Sequence, residues 1–178
     1  MTERLVPYNL GETAVSGELE NLLGYRAFFE DVDRSGTGVK AELSGMTVEA
    51  VWVKNESGGN LSGGQIVLWD TGSTYGPGKA VNAAAGDDVH GIGVVDPDVT
   101  TVSNDTHFWL IVKGPTKVRY DGSASLAIRD ELCTAASGNT REYVFGTDDA
   151  DSRFGVSLAA KTSGSAGDKF RALVDFTV

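Results

Sequence analysis

The chain has 178 residues, of which 40% are hydrophobic, and its formal net charge is −10. This length favours a single domain with a sizeable core. Nucleic-acid and anionic-membrane surfaces cluster Lys and Arg, whereas the basic residues here are scattered, so the composition argues against either partner.

The cysteine content and the first residues bear on where the protein is made. Cys133 is the only cysteine, so an internal disulfide is excluded. Residues 1–12 show neither a signal peptide nor a membrane span. We therefore expect synthesis and assembly in a reducing cytoplasm.

Residues 1–45 differ from the rest of the chain in having mixed polarity and few β-branched runs. They are predicted to form an N-terminal arm or layer, followed by a β-domain over residues 46–178. Ser16 is placed to cap a short helix that ends at Gly24 and carries three leucines on one face. Such a helix is too short to be stable alone.

Tyr25, Phe28 and Phe29 place aromatic side chains where little local sequence can bury them. Two interpretations stay open. In one, residues 1–45 form a layer packed on the chain's own β-domain. In the other, they form an extended arm that lies on a partner, and these three aromatics are its anchors.

Short apolar runs bounded by glycine, proline and asparagine predict β-strands through the remaining sequence. The runs lie at residues 38–43, 46–54, 65–69, 79–82, 90–95, 106–113, 116–120, 125–135, 141–146, 153–161 and 169–177. No long helical period accompanies them. The pattern predicts an all-β fold, an antiparallel barrel or sandwich of short strands with an N-terminal extended arm.

The run at residues 106–113 has no clearly polar face in its middle. Trp109 and Ile111 alternate with Leu110 and Val112. A strand with two apolar faces is covered on both sides, by a second sheet, a barrel interior or another subunit.

Residues 70–73 spell Asp-Thr-Gly-Ser after an apolar run, which is similar to the active-site loop of aspartic proteases. One such loop per chain would require a dimer, in which two carboxylates share a proton. The bulky Trp69 before Asp70 and the lack of a bracing segment downstream favour a strand-ending turn. The dimeric protease is kept as an alternative.

The remaining polar clusters also fall short of a reactive site. Residues 72–79 depart from the phosphate-binding loop in glycine spacing and lack its Ser or Thr. The acidic residues Asp130, Glu131, Asp148, Asp149 and Asp151 lack calcium-loop spacing. His90 and His107 with one cysteine do not make a zinc site. We predict no catalytic, cofactor or metal site, and expect a protein that is not an enzyme.

Several segments resemble the capsid decoration (cement) proteins of tailed bacteriophages. Residues 52–67 are similar to the strand, Gly-rich step and next strand that open that family's barrel. Residues 91–96 and 108–115 are similar to the strands that follow, and residues 153–162 resemble the penultimate strand.

The resemblance implies a small β-barrel or sandwich that binds the outer surface of a phage head as a homotrimer. There it would stabilise contacts between copies of the major capsid protein, its partner, after synthesis in the bacterial host cytoplasm. Tyr25, Phe28 and Phe29 are then the candidate capsid-binding residues.

A binding module of another kind remains a second alternative. Five aromatics could stack on sugars in a carbohydrate- or host-binding β-sandwich of a virion, namely Trp52, Trp69, Tyr75, Trp109 and Tyr120.

Overall fold

The computed structural model describes residues 10–11, 13–14, 19–30, 46–84, 86, 90–162 and 164–176. The predicted helix cap Ser16 and the predicted strand at residues 38–43 lie outside these residues. Within them, no helix has the length and apolar character that crossing a membrane requires.

The described residues form thirteen strands and three short 3-10 helices. The 3-10 helices are Glu20–Leu22, Ala136–Gly138 and Ala150–Ser152. The strands are β1 (Thr13–Ala14), β2 (Arg26–Glu30), β3 (Thr47–Asn55), β4 (Leu61–Ser62), β5 (Ile66–Trp69), β6 (Ala80–Ala83), β7 (Gly93–Val95), β8 (Thr101–Val102), β9 (His107–Arg119), β10 (Glu131–Ala135), β11 (Asn139–Glu142), β12 (Arg153–Ser157) and β13 (Lys169–Asp175).

Eleven of these strands belong to one sheet, and β4 and β8 pair separately. Pairing runs from β3 to β9, β7, β5 and β6, and then back to β3. This ring closes unevenly, because the β3–β6 contact is parallel and only two residue pairs long. The strands β13, β12, β10 and β11 extend the sheet from β9 in antiparallel order. The all-β prediction is confirmed, with one parallel pair in place of a wholly antiparallel sheet.

Strand β9 is buried on both faces by other parts of the chain. Phe108, Leu110 and Val112 belong to one core, together with Val51 and Val53 of β3. On the opposite face, Trp109 and Ile111 belong to a second core. That core also contains residues from β12 and β13 and from the segment after β13, namely Phe154, Phe170, Val174 and Phe176. The predicted cover on both faces is confirmed.

Strand β9 also corrects the prediction of two separate strands at residues 106–113 and 116–120. It continues through Gly114 and Pro115, which lie between the two predicted runs, because its pairing passes there from β3 to β13. Gly114 has φ 113°, and a Cβ at this position would lie 2.5 Å from the Thr47 carbonyl oxygen. Only glycine permits both the backbone angle and the approach.

The described residues of the N-terminal segment lie against the β-domain. Leu10 and Leu23 are buried in the second core, and β2 pairs with β3 along its length. Within the described part of the predicted helix, only the single 3-10 turn at Glu20–Leu22 forms, and Leu19 before it is left-handed at φ 57°. Gly24 follows with φ 87°, in keeping with its predicted role as a stop.

Candidate attachment surface

Alternation along β2 separates the aromatic residues that the sequence singled out. Phe29 points inward, and its ring meets Trp109 edge-on with centroids 5.1 Å apart. Tyr25 lies 6.4 Å from the same tryptophan and is half exposed. Phe28 points the other way and is 71% exposed. The structure therefore leaves Phe28 and part of Tyr25 open to a partner, while Phe29 packs on Trp109.

Among the described residues, backbone and side-chain bonds fix β2 in place on the side that faces β3. Gly24 N donates to Trp52 O, and Trp52 N donates to Tyr25 O, both at 2.8 Å. Arg26 is ion-paired with Glu49 of β3 at 2.6 Å. None of the described strands pairs with the opposite edge of β2. An edge of this kind offers backbone donors and acceptors to an added strand.

A network around Lys54 anchors the turn that precedes β2. Tyr75 donates a hydrogen bond to Glu20 at 2.7 Å, which raises the pKa of Tyr75 above its usual value. Lys54 Nζ lies 4.6 Å from the centre of the Tyr75 ring and pairs with Glu56 and Asp105. Burial lowers the pKa of Lys54, but the hydrogen bonds to these carboxylates outweigh burial and raise it overall. The segment before β2 is thus tied to the β-domain.

A groove of about 320 Å³ lies beside Phe28, on the outer face of β3, β9 and β13. Its walls are mainly apolar, and the ion pair between Lys113 and Asp175 stands at its rim. Met46 is also exposed there. The lining residues are Phe28, Met46, Thr47, Glu49, Lys113, Gly114, Leu173, Val174 and Asp175.

A second exposed apolar feature is the turn after β11. Val144 is half exposed and Phe145 is 91% exposed, the most of any large apolar residue described. The sequence placed both residues in a strand at residues 141–146. Strand β11 instead ends at Glu142, and Gly146 adopts φ 80° in the turn.

The turn that carries Phe145 is held by a carboxylate with an almost fully buried side chain. Asp148 accepts two hydrogen bonds from Arg141, at 2.7 and 2.9 Å, and a third from Val144 N at 2.7 Å. The Arg141 guanidinium holds the pKa of Asp148 below its usual range, although burial acts in the opposite direction. The apolar tip is therefore presented on a rigid base.

The loop that resembles a protease motif is a turn. Asp70 accepts a hydrogen bond from Gly72 N at 2.8 Å, and Ser73 Oγ accepts from Tyr75 N and Gly76 N. These are local turn contacts of Asp and Ser side chains.

The acidic and histidine residues considered for metals are engaged in local structure. Asp149 accepts from Asp151 N, and Glu131 pairs with Arg153. His90 Nδ1 lies 2.8 Å from the Asp151 carbonyl oxygen. His90, Glu131, Asp151 and Arg153 line a cavity of about 510 Å³. In the described part of the chain, no three His, Cys, Asp or Glu residues are grouped so that they could hold a metal ion.

The aromatic residues considered for sugar stacking lie largely inside the fold. Trp52, Trp109 and Tyr120 are each fully buried. Trp69 and Tyr75 are partly buried against the two cores. A sugar ring cannot stack on the three buried rings without opening the core.

No protein-family model and no curated protein sequence matches the chain. Among solved structures, it is similar to the N base of head fiber gp8.5 in bacteriophage phi29, with a TM-score of 0.50 and 15% sequence identity. The match covers 71% of this chain and 92% of the phage protein. At that identity the likeness is one of fold.

Proposed function

We propose that this chain is a structural protein of a bacteriophage virion that attaches to the head. The observation that carries the proposal is the likeness of its fold to the base of a phage head fiber. The resemblance of residues 52–67 and 108–115 to decoration proteins points to the same class independently of the structural match.

In finer terms, we propose that the protein decorates the outer surface of the head as a homotrimer and binds the major capsid protein. Such a protein stabilises the shell by mass action, because it binds the assembled shell and not the separated subunits. When three copies are linked, their individually weak contacts with the shell form together, so the trimer binds more tightly than a single copy would. The proposal assigns no reaction to the protein.

The attachment surface that we propose consists of Tyr25, Phe28 and the edge of β2 with which no described strand pairs. Exposed aromatics next to a free strand edge are features that peptide-binding surfaces use. The acidic composition suits a partner surface that is not itself acidic. The protease and sugar-binding alternatives are less favoured, because Asp70 holds a turn and three of the five aromatics are buried.

The test compares phage heads that carry the protein with heads that lack it. We expect heads without it to release DNA at a lower temperature, and added purified protein to restore the difference. Unchanged heat resistance would contradict the stabilising role, and failure of the protein to sediment with heads would contradict attachment.

The residue assignment is tested with Tyr25→Ser and Phe28→Ser. Each is expected to weaken attachment about tenfold, the loss for one contributing interface residue. Ile128→Ser is the matched control, since Ile128 is also an exposed apolar residue, 60% exposed on a different loop. Equal attachment of all three variants would remove these residues from the surface.

A further inference from the structure

Four basic residues form a block on one face of the sheet, where β9 pairs with β13. Lys169 lies directly opposite Arg119, and Arg171 lies directly opposite Lys117. Because side chains alternate along each strand, all four project from the face opposite the buried Val118. The strand pairing thus gathers into one basic block cations that are far apart in the sequence.

The two like-charge pairs of the basic block are unfavourable in a sheet. Directly opposite side chains have Cβ atoms about 4.5–5.5 Å apart, and like charges at that spacing are destabilising. Burial lowers the pKa of Lys169, and Lys117 and Arg119 lower it further. Asp98 and Asp96 on a neighbouring turn act in the opposite direction and offset part of the positive charge. The block therefore carries a repulsion that an anionic partner would relieve.

Two members of the basic block differ from other cations in what they contact. Six cations each meet a carboxylate within 3.3 Å, namely Arg26, Lys54, Lys113, Arg141, Arg153 and Lys161. Within the residues that the structure describes, neither Arg119 nor Lys169 does so. Lys169 Nζ donates to the Pro97 carbonyl oxygen. The Arg119 guanidinium lies over Gly167, where a Cβ would be 3.0 Å from it. Both cations can therefore bind an external carboxylate without first breaking an ion pair.

The spacing of the basic block fits an extended acidic segment. Residues two apart on one strand lie about 6.8 Å from each other along it, and carboxylates at alternate residues of a second extended chain repeat at the same interval. Arg119 can bind one such carboxylate through two parallel hydrogen bonds. Lys169 and Arg171 are exposed, and Lys117 and Arg119 are partly exposed. A strand-like segment with Asp or Glu at alternate positions can thus lie along the block.

The rest of the chain disfavours nucleic acid as the partner of the basic block. The net charge of −10 repels a long polyanion that extends beyond the four cations. Surface charges act over only about 8 Å at physiological ionic strength. A short acidic segment of a protein therefore meets mainly the block itself.

We infer that the basic block is a second binding surface of this protein, which takes an extended acidic segment of a partner protein. Arg119 and Lys169 bind its carboxylates, and Lys117 and Arg171 add to the attraction. This surface is separate from β2, which joins the sheet through β3 on the first half of β9. The inference does not depend on the proposed function, because the partner is defined by its charge and its extended shape.

The first test titrates the full chain with a synthetic peptide of alternating Glu and Thr, and with a Gln-Thr peptide for comparison. Calorimetry at low ionic strength should detect binding of the acidic peptide alone, and added salt should weaken it. Arg119→Gln and Lys169→Gln are each expected to weaken binding about tenfold. Arg129→Gln is the matched control, since it removes the same charge from an exposed residue on the loop before β10. It should bind as the unchanged protein does.

A second measurement separates binding from a structural role of Arg119. Removing one charge from a like-charge pair should stabilise the folded chain. Arg119→Gln is therefore expected to raise the melting temperature by roughly 1–3 °C. A residue that served the fold alone would lower the melting temperature when replaced.

Several outcomes overturn the inference. They are an acidic peptide that does not bind, an equal loss of binding in Arg129→Gln, and a lower melting temperature in Arg119→Gln. Duplex DNA or inorganic phosphate that binds as tightly as the peptide would overturn the assignment to a protein segment. None of these measurements uses phage heads, so this surface and the proposed function can fail independently.

Discussion

Trp52 and Trp109 face each other across β3 and β9, with ring centroids 5.1 Å apart and planes inclined at 63°. Phe29 adds a third ring from β2, at 5.1 Å from Trp109. The aromatic contacts thus run through three adjacent strands and include the N-terminal segment. This relationship makes the inward face of β2 part of the core.

The two phenylalanines of β2 provide a matched pair for testing that conclusion. Phe29→Ala is expected to lower the free energy of unfolding by about 2 kcal/mol, since the partly buried ring loses its packing. Phe28→Ala should stay within about 0.5 kcal/mol of the unchanged protein, because Phe28 is exposed. Urea denaturation measures both. Equal losses would mean that β2 does not sit on the core as described.

The Asp148–Arg141 pair should be a major local determinant of stability. Asp148→Asn is expected to cost about 3 kcal/mol, because it leaves Arg141 without its carboxylate. Asp149→Asn on the exposed side of the same loop is the control, with a change within about 0.5 kcal/mol. Thermal denaturation at neutral pH distinguishes them, and an unchanged Asp148→Asn protein would contradict the role of the pair.

The same carboxyl gives a pH dependence whose sign follows from its lowered pKa. The stabilisation is complete above the ordinary Asp pKa of 3.8 and is lost as the pH falls below that value toward the folded-state pKa. We expect the difference in unfolding free energy between the unchanged protein and Asp148→Asn to shrink in that range. Denaturation series at pH 7 and at progressively lower pH provide the measurement, and a constant difference would count against the assignment.

Gly114 should tolerate substitution far less well than Gly146, although both have positive φ. Gly146→Ala is expected to cost about 1 kcal/mol, because space is open around it and only the backbone angle is unfavourable. Gly114→Ala should cost more, since the new Cβ would also collide with the Thr47 carbonyl. Comparison of the two urea midpoints tests this. Equal effects would mean that β9 can shift away from β3.

The hydroxyl of Tyr75 should stabilise the N-terminal turn through Glu20. Tyr75→Phe removes this hydrogen bond but keeps the ring over Lys54, so a loss of about 1 kcal/mol is expected. Limited proteolysis of the segment before β2 should quicken in this variant. Tyr143→Phe serves as the control, because the Tyr143 ring also lies beneath a cation, the guanidinium of Arg153. Cleavage at the original rate would contradict the anchoring role.

Apolar alternation was sufficient to predict the two-sided burial of β9, since Trp109 and Leu110 can only lie on opposite faces of a strand. It was insufficient at Gly114 and Pro115. There the local signal indicates a break, but the partner strand β13 continues the pairing, and that partner is distant in sequence. The parallel β3–β6 contact was missed for the same reason, because local pattern does not encode strand order.

The candidate surface was predictable only in part. The sequence identified Tyr25, Phe28 and Phe29 as aromatics lacking local burial, but the strand register that turns Phe29 inward depends on pairing with β3. Phe145 was overlooked because it continues an apolar run. Gly146 and the acidic residues that follow were the available signs of a turn at that position.

Strand β9 is shared by the ring and the extended sheet, and this has a mechanical consequence. A pull on β2 along the strand direction would pass to β3 and then to β9, where many hydrogen bonds resist sliding at the same time. Since β9 is anchored along its other half by β13, the force would spread into the whole molecule before any strand peels away. A protein attached to its partner through β2 would therefore resist a pulling force as a single rigid unit.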